Sequence, residues 1–236
     1  MSASAPTSSK HAELMAAWCE ARRTGASEPL IVEPKKVRYA FAKRCFDFVG
    51  ALVLIALLSP LLVGCALVVK ATSPGPILYR SRRCGLGGRT FWFYKFRSMR
   101  DGSDKELAKL LALNEKNGPI FKMRKDPRIT NVGRFMRRFS LDELPQLFNV
   151  VAGQMSLVGP RPPIPHEVEA YDERTLRRLS VLPGMTCYWQ IKGRCELSFE
   201  EWIELDLQYV DEMSFWLDLK ILAMTPVAAA KGIGAY

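Results

Sequence analysis

FVGALVLIALLSPLLVGCALVV, residues 48–69, runs without a single charged side chain. As a straight helix it would extend about 33 Å at ~1.5 Å per residue, against a bilayer hydrocarbon core of about 30 Å. It begins too far from the N-terminus to read as a secretory signal peptide. Two features oppose a simple crossing. Ser59-Pro60 stands at the midpoint, where proline removes a helical hydrogen bond and crowds the preceding turn, so the axis is expected to kink or break. Both flanks are also basic: Lys35, Lys36, Arg38, Lys43 and Arg44 precede the run, and Lys70, Arg80, Arg82, Arg83 and Arg89 follow it. Cationic flanks favour the cytoplasmic side, and a spanning helix cannot place both there. A helix bent at Ser59-Pro60 that enters and leaves through one leaflet satisfies both sets; a proline-kinked helix that spans is the other reading.

Outward from this run, residues 1–34 are rich in Ala, Ser and Thr and are expected to form a poorly ordered tail with one short helix near 10–23. Residues 35–72 then make the basic-flanked membrane helix and 73–236 a single further domain. There, SPGP (73–76) is a turn, ILYRSRR begins a strand, Gly85, Gly87 and Gly88 bend the chain, and RTFWFYKF is an aromatic strand. Residues 104–116 carry Leu107, Leu110 and Leu111 at helical spacing. A strand is expected at 119–124 and a helix at 131–139. Gly153 closes the helix that follows Pro145, and Ser198 with Glu201 forms a capping box ahead of 199–212. The last stretch, SFWLDLKILAMTPVAAAKG, is apolar and interrupted by Pro226; it either lies on a membrane surface or packs on the domain. No repeat or linker divides 38–236. The fold class is therefore α/β or α+β, a small membrane-associated domain behind a helix broken at Ser59-Pro60, with amphipathic surface helices.

The chain carries 34 Lys and Arg against 24 Asp and Glu, but the distribution says more than the total. Residues 35–139 have a net charge of +17 and residues 140–236 of −6. A basic half suits a polyanion: nucleic acid, anionic lipid headgroups or a phosphorylated substrate. Nucleic acid is disfavoured as the partner because it gives no reason for the apolar run. The six cysteines show no C-x-x-C pair or metal-finger spacing and read as reduced.

The chemistry concentrates in DPRITNVGRFMRRFSLDELPQLFNVVAGQMSLVGPRPP, residues 126–163. Asp142 and Glu143 follow the cluster Arg134, Arg137 and Arg138, and Arg161 lies between Pro160 and Pro162. A carboxylate can attack a phosphoryl centre and split one hard displacement into two easier ones. Nearby arginines and a divalent cation would hold it ionised and take up charge on the phosphoryl oxygens. Mg²⁺ suits such a pair, since it binds through one or two carboxylates plus substrate phosphates. Read locally, the same acids serve equally as a helix start, because Ser140-x-x-Glu143 matches a capping box. Pro145 fits better as the beginning of the following helix, which would leave the dyad exposed at its entrance. Arg161 on a proline-stiffened backbone suits bidentate phosphate binding. Lys95 and Arg97 alternate along a strand and so share a face. His166 reads as incidental.

Taken together, KFRSM (95–99), DPRIT (126–130), SLDELPQL (140–147), SLVGPRP (156–162), WQIKGR (189–194) and SFEEWIELDLQYVDE (198–212) resemble the bacterial sugar transferase family, the monotopic polyprenyl-phosphate phosphoglycosyl transferases. The resemblance runs from about residue 38 to the C-terminus. It implies a re-entrant helix broken at Ser-Pro on the cytoplasmic face of the inner membrane. It also implies transfer of a sugar-1-phosphate from a UDP-sugar to polyprenyl (undecaprenyl) phosphate, with Mg²⁺. Asp142 takes the place of the nucleophile and Glu143 of its partner, both being metal ligands. Lys95, Arg97, Arg137 and Arg161 are implied contacts of phosphate or nucleotide, with Gln190 and Arg194 bordering the pocket. Cys187-Tyr188-Trp189-Gln190 departs from the family's Gly-Leu-Trp-Gln pattern, which leaves the sugar open. The segment after KFRSM resembles hexose-1-phosphate transferases that start exopolysaccharide or O-antigen chains, making UDP-glucose or UDP-galactose the first expectation. A homo-oligomer is possible.

Overall fold

A computed structural model of the protein describes residues 9–36, 39–115, 121, 123–192 and 197–231. Two helices, α1 (Ser9–Thr24) and α2 (Ala40–Thr72), precede the hairpin of β1 (Leu78–Cys84) and β2 (Thr90–Phe96). Then come α3 (Leu107–Leu110), α4 (Asn131–Arg138), α5 (Gln146–Val151) and β3 (Ser156–Val158). The chain ends with α6 (Pro165–Glu169), α7 (Glu173–Leu176), β4 (Gly184–Thr186), α8 (Tyr188–Lys192), α9 (Phe199–Glu212) and α10 (Phe215–Lys231). The architecture is mixed helix and sheet: β1 and β2 pair antiparallel, β3 and β4 pair parallel, and helices cover both sheets.

The uncharged run forms the middle of α2, a helix of 33 residues that is long and apolar enough to cross a membrane. It continues through Ser59-Pro60, where Ser59 Oγ donates to the Ala56 carbonyl at 2.8 Å. Its buried residues, Lys43, Asp47, Ala51, Cys65 and Val69, fall on one face at whole-turn spacing. Ala51 enters the main core with Leu147, Val150, Leu157 and Ile221, while Cys65 and Val69 meet Phe96 and Met136. Both ends of α2 thus rest on the same domain. Between them, Leu52, Val53, Leu57 and Leu61 stay exposed, an apolar patch of a kind that marks a membrane or partner surface.

A two-stranded hairpin is marginal alone, and here it is held from one side. Phe91 and Phe93 point into the core, whereas Trp92 between them is exposed. That alternation leaves no continuous aromatic surface for stacking bases. Asn149 of α5, fully buried, covers the free edge of β2: its Nδ2 donates to Trp92 O and its Oδ1 accepts from Tyr94 N.

The N-terminal stretch corrects an expectation. The helix near 10–23 is present, but residues 9–36 are docked rather than loose. Trp18, with no exposed surface, donates through Nε1 to Gly88 O at 3.0 Å, and Ile31 N bonds Gly87 O at 2.9 Å. One indole in an Ala/Ser-rich segment supplies enough apolar area to anchor it. Residues 103–113 are helical as expected, but as three short pieces; α3 and the turn after it have no buried residue, and Leu111 and Leu113 are exposed. The strand expected at 119–124 lies largely outside the described residues. The capping box at Ser198 and Glu201 forms, with bonds in both directions. Of the two alternatives for α10, packing on the domain is observed: Asp218 and Ile221 are buried, while Trp216 and Val227 are exposed.

Candidate active site

Asp142 and Glu143 lie in a 3-10 turn, Leu141–Glu143, between α4 and α5. Pro145 occupies the position before α5, as its missing N–H and fixed φ favour. The capping alternative is not realised. Ser140 makes no side-chain cap bond and adopts φ 57°, in the left-handed region, the sole described non-glycine residue with positive φ. This turn directs the acids away from the helix start and towards β2. Burial is a correction to expectation, since Asp142 is only 6% exposed rather than an open pair at a helix mouth. Leu141 packs with Cys65, Val69 and Met136 and thereby draws its neighbour inward.

Two cations act on Asp142. Burial pushes its carboxyl above the ordinary range, while Lys95 and Arg137 pull the other way. Lys95 stands opposite Tyr79 on the inward face of the hairpin; burial, then Arg137, pushes its ammonium down to about 8. Arg137 comes from the last turn of α4, whose start is fixed by Thr130 Oγ1 accepting from Gly133 N at 2.9 Å. Gly133 is required there, because a Cβ would stand 1.9 Å from Ser98 O. Arg137 Nη1 is buried with no hydrogen-bond partner among the described residues. Lys95 and Arg97 line one cavity of about 270 Å³ with Tyr79, Arg83 and Arg100, as the shared strand face predicts. Arg97 is partly committed elsewhere, donating through Nη2 to Ser73 O and Oγ at 2.7 Å, yet its Nε and Nη1 are buried without partners.

Glu143, Arg161 and Gln190 border a second, smaller cleft with Gln146 and Trp189. The loop that carries Arg161 is clamped at four successive carbonyls. Gly184 N bonds Pro160 O, Arg178 Nη2 bonds Arg161 O, Arg83 Nη1 bonds Pro162 O and Cys84 N bonds Pro163 O, at 2.9 to 3.1 Å. Prolines at 160, 162 and 163 have no N–H of their own, so the loop takes its order from donors outside it. Arg178 is itself buried between Asp206 and Tyr171 Oη. Burial holds the Asp206 carboxyl up, to about 6, against the pull of Arg178.

Lys95 and Arg97 thus line the first space and Glu143, Arg161 and Gln190 the second, while Asp142 and Arg137 act on Lys95 without lining either. Arg194 lies outside the described residues, and His166 is exposed beside Glu169, as expected. Arg83, Arg178 and Asp206 were missed. Arg83 was counted among membrane-flanking charges; its place opposite Phe91 in the alternation of β1 is the signal that reveals it. Among the described residues no group of three His, Cys, Asp or Glu side chains gathers as a metal site. The dyad by itself offers two oxygen donors, which fit Mg²⁺ only with further oxygens from a substrate.

Residues 38–232 match the family described as bacterial sugar transferase. The chain is 45% identical over 202 residues to the galactosyl transferase CpsE of Streptococcus agalactiae, covering 85% of this chain and 44% of that protein. It is 43% identical to an undecaprenyl-phosphate galactose phosphotransferase of Salmonella typhimurium, covering 83% of this chain and 42% of the other. The chain thus spans less than half the length of these two relatives. Against the exopolysaccharide production protein ExoY of Rhizobium meliloti the identity is 40%, with 83% of this chain and 88% of that one covered. With family motifs, matched length and site geometry in agreement, this chain belongs to the bacterial sugar transferase family.

Proposed function

We infer that the protein transfers a sugar-1-phosphate from a UDP-sugar to polyprenyl phosphate at the cytoplasmic face of the inner membrane, the first step of an exopolysaccharide or O-antigen type glycan. The observation that carries this reading is a buried carboxylate, Asp142, set against Lys95 and Arg137 one residue from a side chain packed on the membrane helix. A carboxylate oxygen of Asp142 attacks the phosphorus that bears the sugar, and the bond to UMP breaks. A phosphate oxygen of the lipid then attacks the same phosphorus and displaces Asp142. Glu143 takes the acceptor's proton. Lys95, Arg137 and Arg161 offset charge on the phosphoryl oxygens, in a site where such donors are worth more than in water. Mg²⁺ held by Asp142 and Glu143 would supply further charge neutralisation when bound.

The architecture supports the same reading. Both ends of α2 pack on one domain, which favours re-entry through one leaflet with Ser59-Pro60 at its deepest point and argues against crossing. The two relatives named for galactosyl and galactose transfer favour a hexose donor. UMP release by detergent-purified protein over a UDP-sugar panel with Mg²⁺, without and with polyprenyl phosphate, tests the proposal. About one equivalent of UMP without acceptor, with a sugar-phosphate mass adduct on Asp142, is expected. Release only with acceptor would replace the covalent route by direct transfer. No release from folded protein would leave a membrane-tethered scaffold.

A further inference from the structure

Arg83 lies on the inward face of β1 and lines both the cavity of about 270 Å³ and the smaller cleft that holds Glu143, Arg161 and Gln190. Little of its donor capacity is used within the chain. Nη1 donates to Pro162 O at 3.1 Å, the guanidinium lies 5.2 Å from the centre of the Phe93 ring, and Nε is buried without an acceptor among the described residues. Among the described residues no carboxylate forms an ion pair with it. The acid that acts on it, Glu167, already accepts from Ile164 N, and Arg161 adds like charge from the cleft side. Burial, then Arg161, pushes the guanidinium down to about 10. A half-buried cation beside another cation is poorly compensated until an anion arrives. A planar guanidinium matches phosphate oxygens in particular. Lys95, Arg97 and Arg100 on the cavity side, against Asp101 and Asp104, and Arg161 on the cleft side, against Glu143, leave an excess of cations in both directions, which suits two linked phosphates better than one.

We propose that Arg83 is a donor-binding residue whose guanidinium takes the diphosphate of the sugar nucleotide at the wall between the two cavities, with the groups on its two phosphates lying to either side. This rests on the donor class proposed above. The shifts in unfolding temperature of the full chain in detergent, titrated with inorganic pyrophosphate, UDP and uridine, test it for wild type and Arg83→Gln. Wild type should respond to pyrophosphate and UDP and far less to uridine. Arg83→Gln should weaken pyrophosphate and UDP about 10- to 100-fold, the range for a lost charge-assisted bond, and leave the uridine response unchanged. Unaltered pyrophosphate and UDP affinity in the variant overturns the proposal while the donor reading stands. Pyrophosphate binding that depends on Arg83 in a protein indifferent to every UDP-sugar supports the anion site and sinks the donor reading instead. Should Arg83→Gln not fold, Arg83→Lys decides: it keeps charge without the fork, and wild-type pyrophosphate affinity in it overturns the proposal.

Discussion

Two buried charge clusters in this protein are built on opposite plans. At the root of α2, Lys43 Nζ donates to Asp218 Oδ2 at 2.5 Å and lies 3.8 Å from Asp47 Oδ2. Tyr209 Oη donates to Asp218 Oδ1 at 2.8 Å, and Leu157 N donates to Asp47 Oδ1 at 3.1 Å. Every charge there has its opposite within 4 Å, and the cluster ties α2, β3 and α10 together. Around Asp142 the balance is reversed. Cations outnumber acids there: Lys95, Arg83, Arg97, Arg137 and Arg161 stand with Asp142, Glu143, Asp101 and Asp104, and buried N–H groups of Arg83, Arg97 and Arg137 lack acceptors among the described residues. A cluster whose charges are paired holds a fold together, even where one oxygen, Asp47 Oδ2, accepts no hydrogen bond among the described residues, whereas an excess of cations stores binding capacity for an anion that is not part of the chain.

Removing one acid from each cluster gives the largest contrast. Asp142→Asn should lower turnover by at least about 1,000-fold, as expected when a nucleophile is lost. Its unfolding temperature should stay level or rise, because burial already disfavours the ionised form. Asp218→Asn should do the reverse. It leaves Lys43 buried with only the more distant Asp47, costing about 3 kcal/mol, while turnover per folded molecule is retained. Equal loss of turnover in both variants would abolish the distinction.

The difference between the clusters also explains what could be read in advance. α2, the β1–β2 hairpin, α4 and the capping box of α9 follow from apolar runs, alternation and local hydrogen-bonding residues. Asp142 and Arg137 were visible because their spacing within one stretch carries the chemistry, and Lys95 because it alternates with Arg97 along a strand. Asp218 was not, since its partner Lys43 lies 175 residues away and nothing local marks the pairing. Arg83 was hidden by its own sequence neighbours, Arg80 and Arg82, which read as a flank charge until strand parity separates them. Burial of Asp142 depends on how Leu141 packs against α2, a tertiary fact without a local signature.

The unpaired cations should show in the pH dependence. For kcat/KM of the donor, an acid limb from Asp142 should lie above the ordinary carboxylate range, and a basic limb from Lys95 near about 8. Stability has the opposite sign at the basic end. Lys95 is depressed from 10.5 in the folded protein, so the unfolded chain binds more protons between about 8 and 10.5, and stability rises with pH through that window. Activity that falls while stability rises excludes unfolding as the cause. Lys95→Arg, which does not titrate there, should remove the basic limb; a limb that stays near 8 would assign it elsewhere.

Arg178 lies between the two plans, paired with Asp206 yet donating to the backbone of the loop that carries Arg161. Arg178→Lys keeps the charge against Asp206 but cannot also reach Arg161 O and Tyr171 Oη with a single ammonium. Folding should survive, and the donor KM should rise about 10-fold through a displaced Arg161, with kcat less affected. A KM equal to wild type would confine Arg178 to a structural role.

The smallest effect should come from Ser140, the residue on which the two accounts of the dyad diverge. Were it a helix cap, Ser140→Gly would cost a few tenths of a kcal/mol and Ser140→Ala about 1 kcal/mol. With φ at 57° and no side-chain cap bond, the expected ordering differs in kind. Glycine removes the penalty of the left-handed conformation, about 1–2 kcal/mol, and returns part of it as unfolded-chain entropy. Denaturant titration should therefore show Ser140→Gly neutral to about 1 kcal/mol more stable than wild type. Turnover should drop a few-fold, because a freer turn presents Asp142 less firmly to Lys95 and Arg137. A variant less stable than wild type with unchanged turnover would restore the cap and make the acids a helix start after all.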